Sequence, residues 1–315
     1  SYFPYLSSLS LNRNCIAIKV RPGTQPGMPA DVYLDHDLSF VEIENRVRTG
    51  SASSRPRMSI TRTTTEDGLL QYLMEGVIPI SETRPWVYYR SIPNPSQYFV
   101  DTFKSVNELT KLDVRGSFLM KQYEGNGWLH YRHASEPLWK LLTDMNKYSL
   151  NLSAESVILQ VAVKETERPS RTEDGIVYVE QYLNSLGFSS EEFTLVNGSG
   201  LSRSLFVPPY IVTAVLSDMY ESPIYGPEYV SSLSVAGIDG TLRRRLKDSE
   251  YTARVRGKTG SINGVYCLAA YVWTETGDVY AIAFFINQLR RSYSYARSLQ
   301  DYTIQLLIEG TNQNP

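Results

Sequence analysis

Apolar side chains in the first third of the chain come in alternation or in short bursts. Ile16, Ile18 and Val20 alternate with their neighbours, Arg21-Pro22-Gly23 ends that run, and Phe40-Val41-Glu42-Ile43 and Met58-Ser59-Ile60-Thr61 follow between polar stretches. Period-two patterning bounded by turn residues predicts strands, so residues 1–105 read as a β-rich region. Residues 51–57 (SASSRPR) are linker-like but short, and a surface loop is expected there.

From about residue 130 the period lengthens. Leu138, Leu141, Leu142 and Met145 fall at helical spacing, with Ser135 as the expected N-cap, Pro137 in the first turn and an end near Lys147. Further helices are predicted through Val157, Ile158 and Val161, and through Ile176, Val179, Leu183 and Leu186, the latter stopped by Gly187. Pro208-Pro209 opens another, with Ile211, Val212, Val215, Leu216 and Met219 on its buried face. Residues 265–274 and 279–287 are apolar and aromatic, with Gly277-Asp278 between them, which predicts an antiparallel hairpin. A last helix is expected over 294–309. Helices clustered before an antiparallel sheet and one helix covering it make an α+β architecture. The division expected is a β-rich accessory domain over 1–105 and an α+β domain over 106–315.

Composition narrows the field. With 42% apolar residues in 315, the chain can bury a sizeable core. Lys and Arg number 31 against 33 acidic residues, so there is no general field for nucleic acid or an anionic membrane, and no nucleic-acid partner is expected. The Arg243-Arg244-Arg245 run reads as a local structural or solvated face. No stretch of 18 apolar residues exists, hence no transmembrane segment is expected. Cys15 and Cys267 suggest neither a disulfide framework nor a metal site. The chain opens at Ser1 without a basic-then-apolar leader and is read as a processed, trimmed or incomplete product.

Two tripeptides carry candidate chemistry. Lys258-Thr259-Gly260 stands just before the predicted hairpin, on or beside an edge strand. There an ammonium attracts a carboxylate, a hydroxyl hydrogen-bonds it, and glycine admits a substrate backbone. Ser149-Leu150-Asn151 falls in the turn after the helix that begins near Ser135. Ser-x-Asn is weak alone, since it recurs at Ser10-Leu11-Asn12, Ser105-Val106-Asn107 and Ser261-Ile262-Asn263, and Ser149 and Asn151 could simply cap the next helix.

Order and spacing select one of the four. Tyr148-Ser149-Leu150-Asn151-Leu152, then Asn197-Gly198-Ser199-Gly200-Leu201-Ser202-Arg203, then Ala236-Gly237-Ile238-Asp239-Gly240-Thr241-Leu242, then Lys258-Thr259-Gly260-Ser261 together resemble one family. It is the D-alanyl-D-alanine carboxypeptidase/endopeptidase of the penicillin-binding protein 4 type. The resemblance extends weakly to Leu9-Ser10-Leu11-Asn12 and Asn14. It implies a penicillin-binding-protein/β-lactamase-like transpeptidase domain plus the β-rich accessory domain. It also implies a serine peptidase acting through an acyl-enzyme on the D-Ala-D-Ala end of peptidoglycan stem peptides or on a cross-link, with β-lactams as ligands and an extracytoplasmic or periplasmic location. No cofactor is implied. Ser149 would relay a proton to the leaving amine, Asn151 would hold the substrate amide, and Lys258 would bias the field. Thr259 would bind the carboxylate, Gly260 would admit the substrate backbone, and the Ser261 N–H would donate half of an oxyanion hole. Arg203 is a further cleft-facing candidate.

The family's first motif, Ser-x-x-Lys, supplies nucleophile and base. No serine in these 315 residues has a lysine three positions on. The chain is therefore read as the C-terminal two thirds of such an enzyme, its transpeptidase domain incomplete at the N-terminal part. A variant reading, which fits the Ser1 start as well as a truncated sequence does, is that an upstream fragment of the same precursor, cleaved but still associated, completes the site. Asn197 stands where the family usually has Asp, and Asn supports the same turn. The competing class is a non-catalytic peptidoglycan-binding or scaffolding module. A metallopeptidase rests only on His130 and His133, with His36 the sole other histidine and no H-E-x-x-H pattern, so no metal is expected.

Overall fold

A computed structural model describes residues 5–110, 121, 132–289 and 292–310. The chain forms two compact units that divide between Trp128 and Leu129. The boundary expected at residue 105 falls inside a helix of the first unit.

In the first unit, β1 (Cys15–Arg21) lies between β2 (Asp31–Tyr33) and β6 (Trp86–Ser91), antiparallel to both. A second sheet places β5 (Leu70–Pro79) between β3 (Val41–Gly50), which runs parallel to it, and antiparallel β4 (Arg57–Thr64). The alternation in β1 holds, since Ile16, Ile18 and Val20 are buried and share a core with Tyr72, Met74 and Ile78 of the second sheet. Residues 51–56 form the expected loop. α1 (Pro95–Thr110) has no counterpart in the apolar pattern, because its buried face holds Tyr98, Asp101 and Thr102. Asp101 is satisfied there by the backbone N–H and hydroxyl of Ser39, both at 2.7 Å. Asn94 accepts from the Gln97 N–H at 3.1 Å, an N-cap just before Pro95.

The second unit is α+β, as expected. Its antiparallel sheet has the order β10-β9-β8-β7, with β7 (Ser234–Val235), β8 (Val255–Ile262), β9 (Val265–Trp273) and β10 (Val279–Ile286). α7 (Tyr293–Glu309) covers one face, packing Ile304 and Ile308 on Val255, Leu268, Ala270 and Val272. α5 (Pro209–Glu221) lies on the other, with Leu216 against Tyr271. α2 (Leu138–Tyr148), α3 (Asn151–Thr166) and α4 (Thr172–Ser185) precede it, and short α6 (Gly226–Ser232) leads into β7.

One expectation for α2 needs correction. Ser135 does not cap it. Pro137 takes the cap position, its carbonyl accepts from the N–H groups of Lys140 and Leu141, and the Ser135 hydroxyl donates to the Glu136 carbonyl at 3.1 Å. Leu138 and Trp139 are 63% and 60% exposed, and no residue of α2 is buried. Among the basic run, Arg245 is buried and pairs with Asp301 of α7 at 2.6 Å, while Arg243 and Arg244 are exposed.

Candidate active site

The C-terminal end of α2 is held by side chains and backbone from three later segments. Lys147 Nζ donates to Asp239 at 2.6 Å and to the Leu233 carbonyl at 2.9 Å, and Asn146 Nδ2 donates to the Ser232 hydroxyl at 2.8 Å. Asp239 also accepts from the Val235 N–H at 2.8 Å, which ties the cation to β7. Gly240 lies so close that a Cβ there would sit 2.8 Å from the Lys147 carbonyl oxygen and 2.3 Å from Ser234 Oγ. The conspicuous Ile238-Asp239-Gly240-Thr241 motif is thus a clamp on the last turn of α2.

The clamped turn ends in Ser149, which adopts a left-handed conformation with φ 55° and ψ 55°. A non-glycine residue in that region costs on the order of 1–3 kcal/mol, and it persists only where surroundings impose it. Here the left-handed residue closes α2, Leu150 caps α3, and Asn151 opens it. Ser149 and Asn151 therefore project from the turn between two helices, as the sequence suggested.

A second motif hangs on the start of α3. Glu155, 1% exposed, accepts from the N–H groups of Gly198 and Ser199 at 3.2 and 3.0 Å. Asn197 Oδ1 accepts from the Gly200 N–H at 2.9 Å, closing the turn in which Gly200 has φ +73°. Asn serves in the family's Asp position as a turn former, without its charge.

Across from Ser149, Lys258 projects from β8 and donates to Ser149 Oγ at 2.7 Å and to the Thr259 carbonyl at 2.7 Å. No carboxylate pairs with it among the described residues. Burial of that ammonium without a counter-charge lowers its pKa from 10.5 to about 8. The pair sets a buried ammonium without a carboxylate partner against the Ser149 hydroxyl.

β7 pairs with β8 at Gly257 and Arg256, so among the described residues β8 from Lys258 onward has no strand on that edge. Thr259 is half-buried, and Gly260 and Ser261 are exposed. Gly260 faces Cys267 in register. A cleft of 1030 Å³ begins at Gly260 and Ser261 and is lined also by Arg203, Phe206, Cys267 and Phe285. Ser149, Asn151 and Lys258 do not line it. Arg203, an exposed side chain, donates to the Asn263 carbonyl at 3.0 Å and so bridges to the β8–β9 turn. The structure thus joins Ser149 to Lys258 and Arg203 to the strand end. Asp239 and Glu155, which position the two loops, carried no functional signal in the sequence beyond lying inside or beside the motifs. Cys267 and Phe285 gave none. His130 lies outside the described residues, and no metal-ligating cluster occurs among those described.

Helices before an antiparallel sheet, with a Lys-Thr-Gly strand hydrogen-bonded to a Ser-x-Asn turn, define a protein of penicillin-binding fold. The structure superposes on penicillin binding protein 4 (dacB) from Haemophilus influenzae, complexed with a novel β-lactam, with a TM-score of 0.77 and 23% identity, covering 98% of this chain and 72% of that one. Another structure of that protein gives 0.75 and 24%, covering 95% and 68%. The chain belongs to the D-Ala-D-Ala carboxypeptidase 3 (S13) family, whose model matches residues 1–306.

Among relatives, the D-alanyl-D-alanine carboxypeptidase of an Actinomadura species is 28% identical over 271 residues, 83% of this chain and 49% of that protein. D-alanyl-D-alanine carboxypeptidase DacB of Haemophilus influenzae is 25% identical over 285 residues, 89% and 58%. The chain spans about half the length of the curated relatives it matches. No described helix is long and apolar enough to cross a membrane.

Proposed function

We propose that the second unit is the substrate-binding half of a serine D-Ala-D-Ala carboxypeptidase acting on peptidoglycan stem peptides, with the first unit as an accessory domain. The observation that carries it is the 2.7 Å hydrogen bond from Lys258 to Ser149, between residues 109 positions apart. Acylation would form a bond from a serine Oγ to the carbonyl carbon of the penultimate D-Ala and break the C–N bond to the terminal one. The proton released from that serine would pass to the leaving nitrogen through Ser149, and water would then hydrolyse the ester. Asn151 would hold the substrate amide, Gly260 would let its backbone approach β8, and Thr259 and Arg203 would take the terminal carboxylate. The Ser261 N–H would donate to the oxyanion. Endopeptidase cleavage of a cross-link would use the same steps.

Ser-x-x-Lys is absent from these 315 residues. On this proposal the acylating serine and its lysine come from polypeptide outside them, on the same precursor. β-Lactams, which mimic the acyl donor, would bind the same site, and the substrate places the protein outside the cytoplasmic membrane. The same absence favours a second reading, a peptidoglycan-binding or scaffolding module that holds muropeptides reversibly.

The test is the intact mass of the natively produced protein before and after exposure to a β-lactam, under denaturing conditions that keep only covalent adducts. A species heavier by one drug molecule supports the enzyme. A mass matching these 315 residues without an adduct, at saturating drug, overturns it for this chain and leaves the binding module.

A further inference from the structure

Away from the cleft at Arg203 and Gly260, a second cavity of 700 Å³ opens beside the other end of β8, lined by Tyr220, Gly226, Val230, Arg256 and Trp273, with exposed Glu221. Arg256 and Lys258 alternate with Gly257, so both project from the same face of β8, one strand repeat apart. Arg256 lies opposite Tyr271 in register. The buried Tyr271 ring is 5.3 Å from that of Tyr220 and 6.2 Å from that of Trp273, so it backs the two rings that line the cavity with Arg256. Among the described residues Arg256 has no hydrogen-bond or ion-pair partner. Glu221 forms no ion pair with it.

We propose that this cavity is a second ligand site, for a small molecule with one carboxylate on a flat apolar body. Guanidinium presents a planar fork of donors that matches a carboxylate in bidentate fashion. The rings of Tyr220 and Trp273 offer stacking surface for the apolar body at little conformational cost. A flat carboxylate ligand supplies both complements at once: two acceptor oxygens for a fork that nothing else engages, and a face for the rings. A cation meets Arg256 with like charge, and a neutral amide gives up the charge assistance.

The experiment is calorimetric titration of the full chain with phenylpropionate, phenylpropionamide and phenethylamine. Phenylpropionate is expected to saturate one site, and the amide and the amine to bind roughly tenfold more weakly or worse. Arg256→Gln is expected to weaken phenylpropionate by roughly tenfold or more, with circular dichroism and melting unchanged. The double variant Arg203→Gln/Thr259→Val, which disables carboxylate capture at the cleft, is expected to bind it as wild type does. Should Arg256→Gln fail to fold, magnetisation transfer from the probe to the Tyr220 and Trp273 ring protons in wild-type protein decides the point. Absence of saturation at millimolar probe, equal binding of the amine, or loss of binding in the cleft variant would each overturn the proposal.

Discussion

Replacing Lys258 by methionine is expected to make the protein more stable at neutral pH. Burial lowers the Lys258 pKa from 10.5 to about 8, which corresponds to roughly 3 kcal/mol of disfavoured charge as a ceiling. Methionine keeps the linear stem and drops the charge. Against that gain stand the two hydrogen bonds to Ser149 and the Thr259 carbonyl, each worth about 1 kcal/mol net. A net stabilisation of roughly 1 kcal/mol follows at about pH 7.

The pH dependence carries the sign. Below about pH 8 the ammonium is protonated in both states and the folded protein bears the whole desolvation cost. Between about 8 and 10.5 the folded state releases its proton while the unfolded chain keeps it, so wild-type stability rises with pH. Methionine has no such titration, and the advantage of the variant should shrink across that window. Urea denaturation of both proteins at about pH 7 and about pH 10 measures this, with the difference between them cancelling other titrating groups. A variant less stable than wild type at the lower pH, or a difference that stays constant between the two, would refute the burial account of Lys258.

Gly240→Ala should cost roughly 3 kcal/mol in chemical denaturation, because the added methyl meets Ser234 Oγ and the Lys147 carbonyl oxygen at a residue with φ +55°; a change below about 1 kcal/mol would mean that the clamp yields freely. Glu155→Gln removes a buried charged acceptor from the N–H groups of Gly198 and Ser199 and should cost about 1–3 kcal/mol, with faster amide hydrogen exchange at those two positions as the local readout. Arg203→Gln lies on the surface and should leave the midpoint of unfolding within about 0.5 kcal/mol of wild type, while weakening cleft binding of a D-Ala-terminated peptide measured by titration.

Much of the fold was legible because burial on one face writes a period into the sequence. β1, the β9–β10 hairpin, α5 and α7 each show theirs, and their bounds agree with expectation to within a few residues. α1 was illegible for the complementary reason. Its inner face is Tyr98, Asp101 and Thr102, of which Asp101 accepts two hydrogen bonds from Ser39 in a distant loop, and such a face has no apolar period. α2 shows the converse, a helix where the apolar spacing predicts one, with Leu138 and Leu141 of that spacing exposed. Periodicity reports that a face is suited to burial; whether anything covers it is a tertiary fact.

The site was legible as a set of tripeptides and illegible as a mechanism of placement. Ser149 meets Lys258 because Lys147 is tied to Asp239, and Asp239 in turn to Val235, on the strand that pairs with β8 two residues before Lys258. The first link spans 92 positions and the last is a strand pairing, so no local pattern announces them. What the sequence holds is the chemistry of the ends: a hydroxyl in one motif, an ammonium in another. Asp239 holds the α2 side of this contact, and β7 holds the β8 side through backbone pairing. The left-handed strain at Ser149 and the uncompensated charge of Lys258 are thus both borne by one short clamp. Loosening that clamp should separate the hydroxyl from the ammonium before it unfolds either element, which is why Gly240 is the position where a single methyl most directly tests how the site is held together.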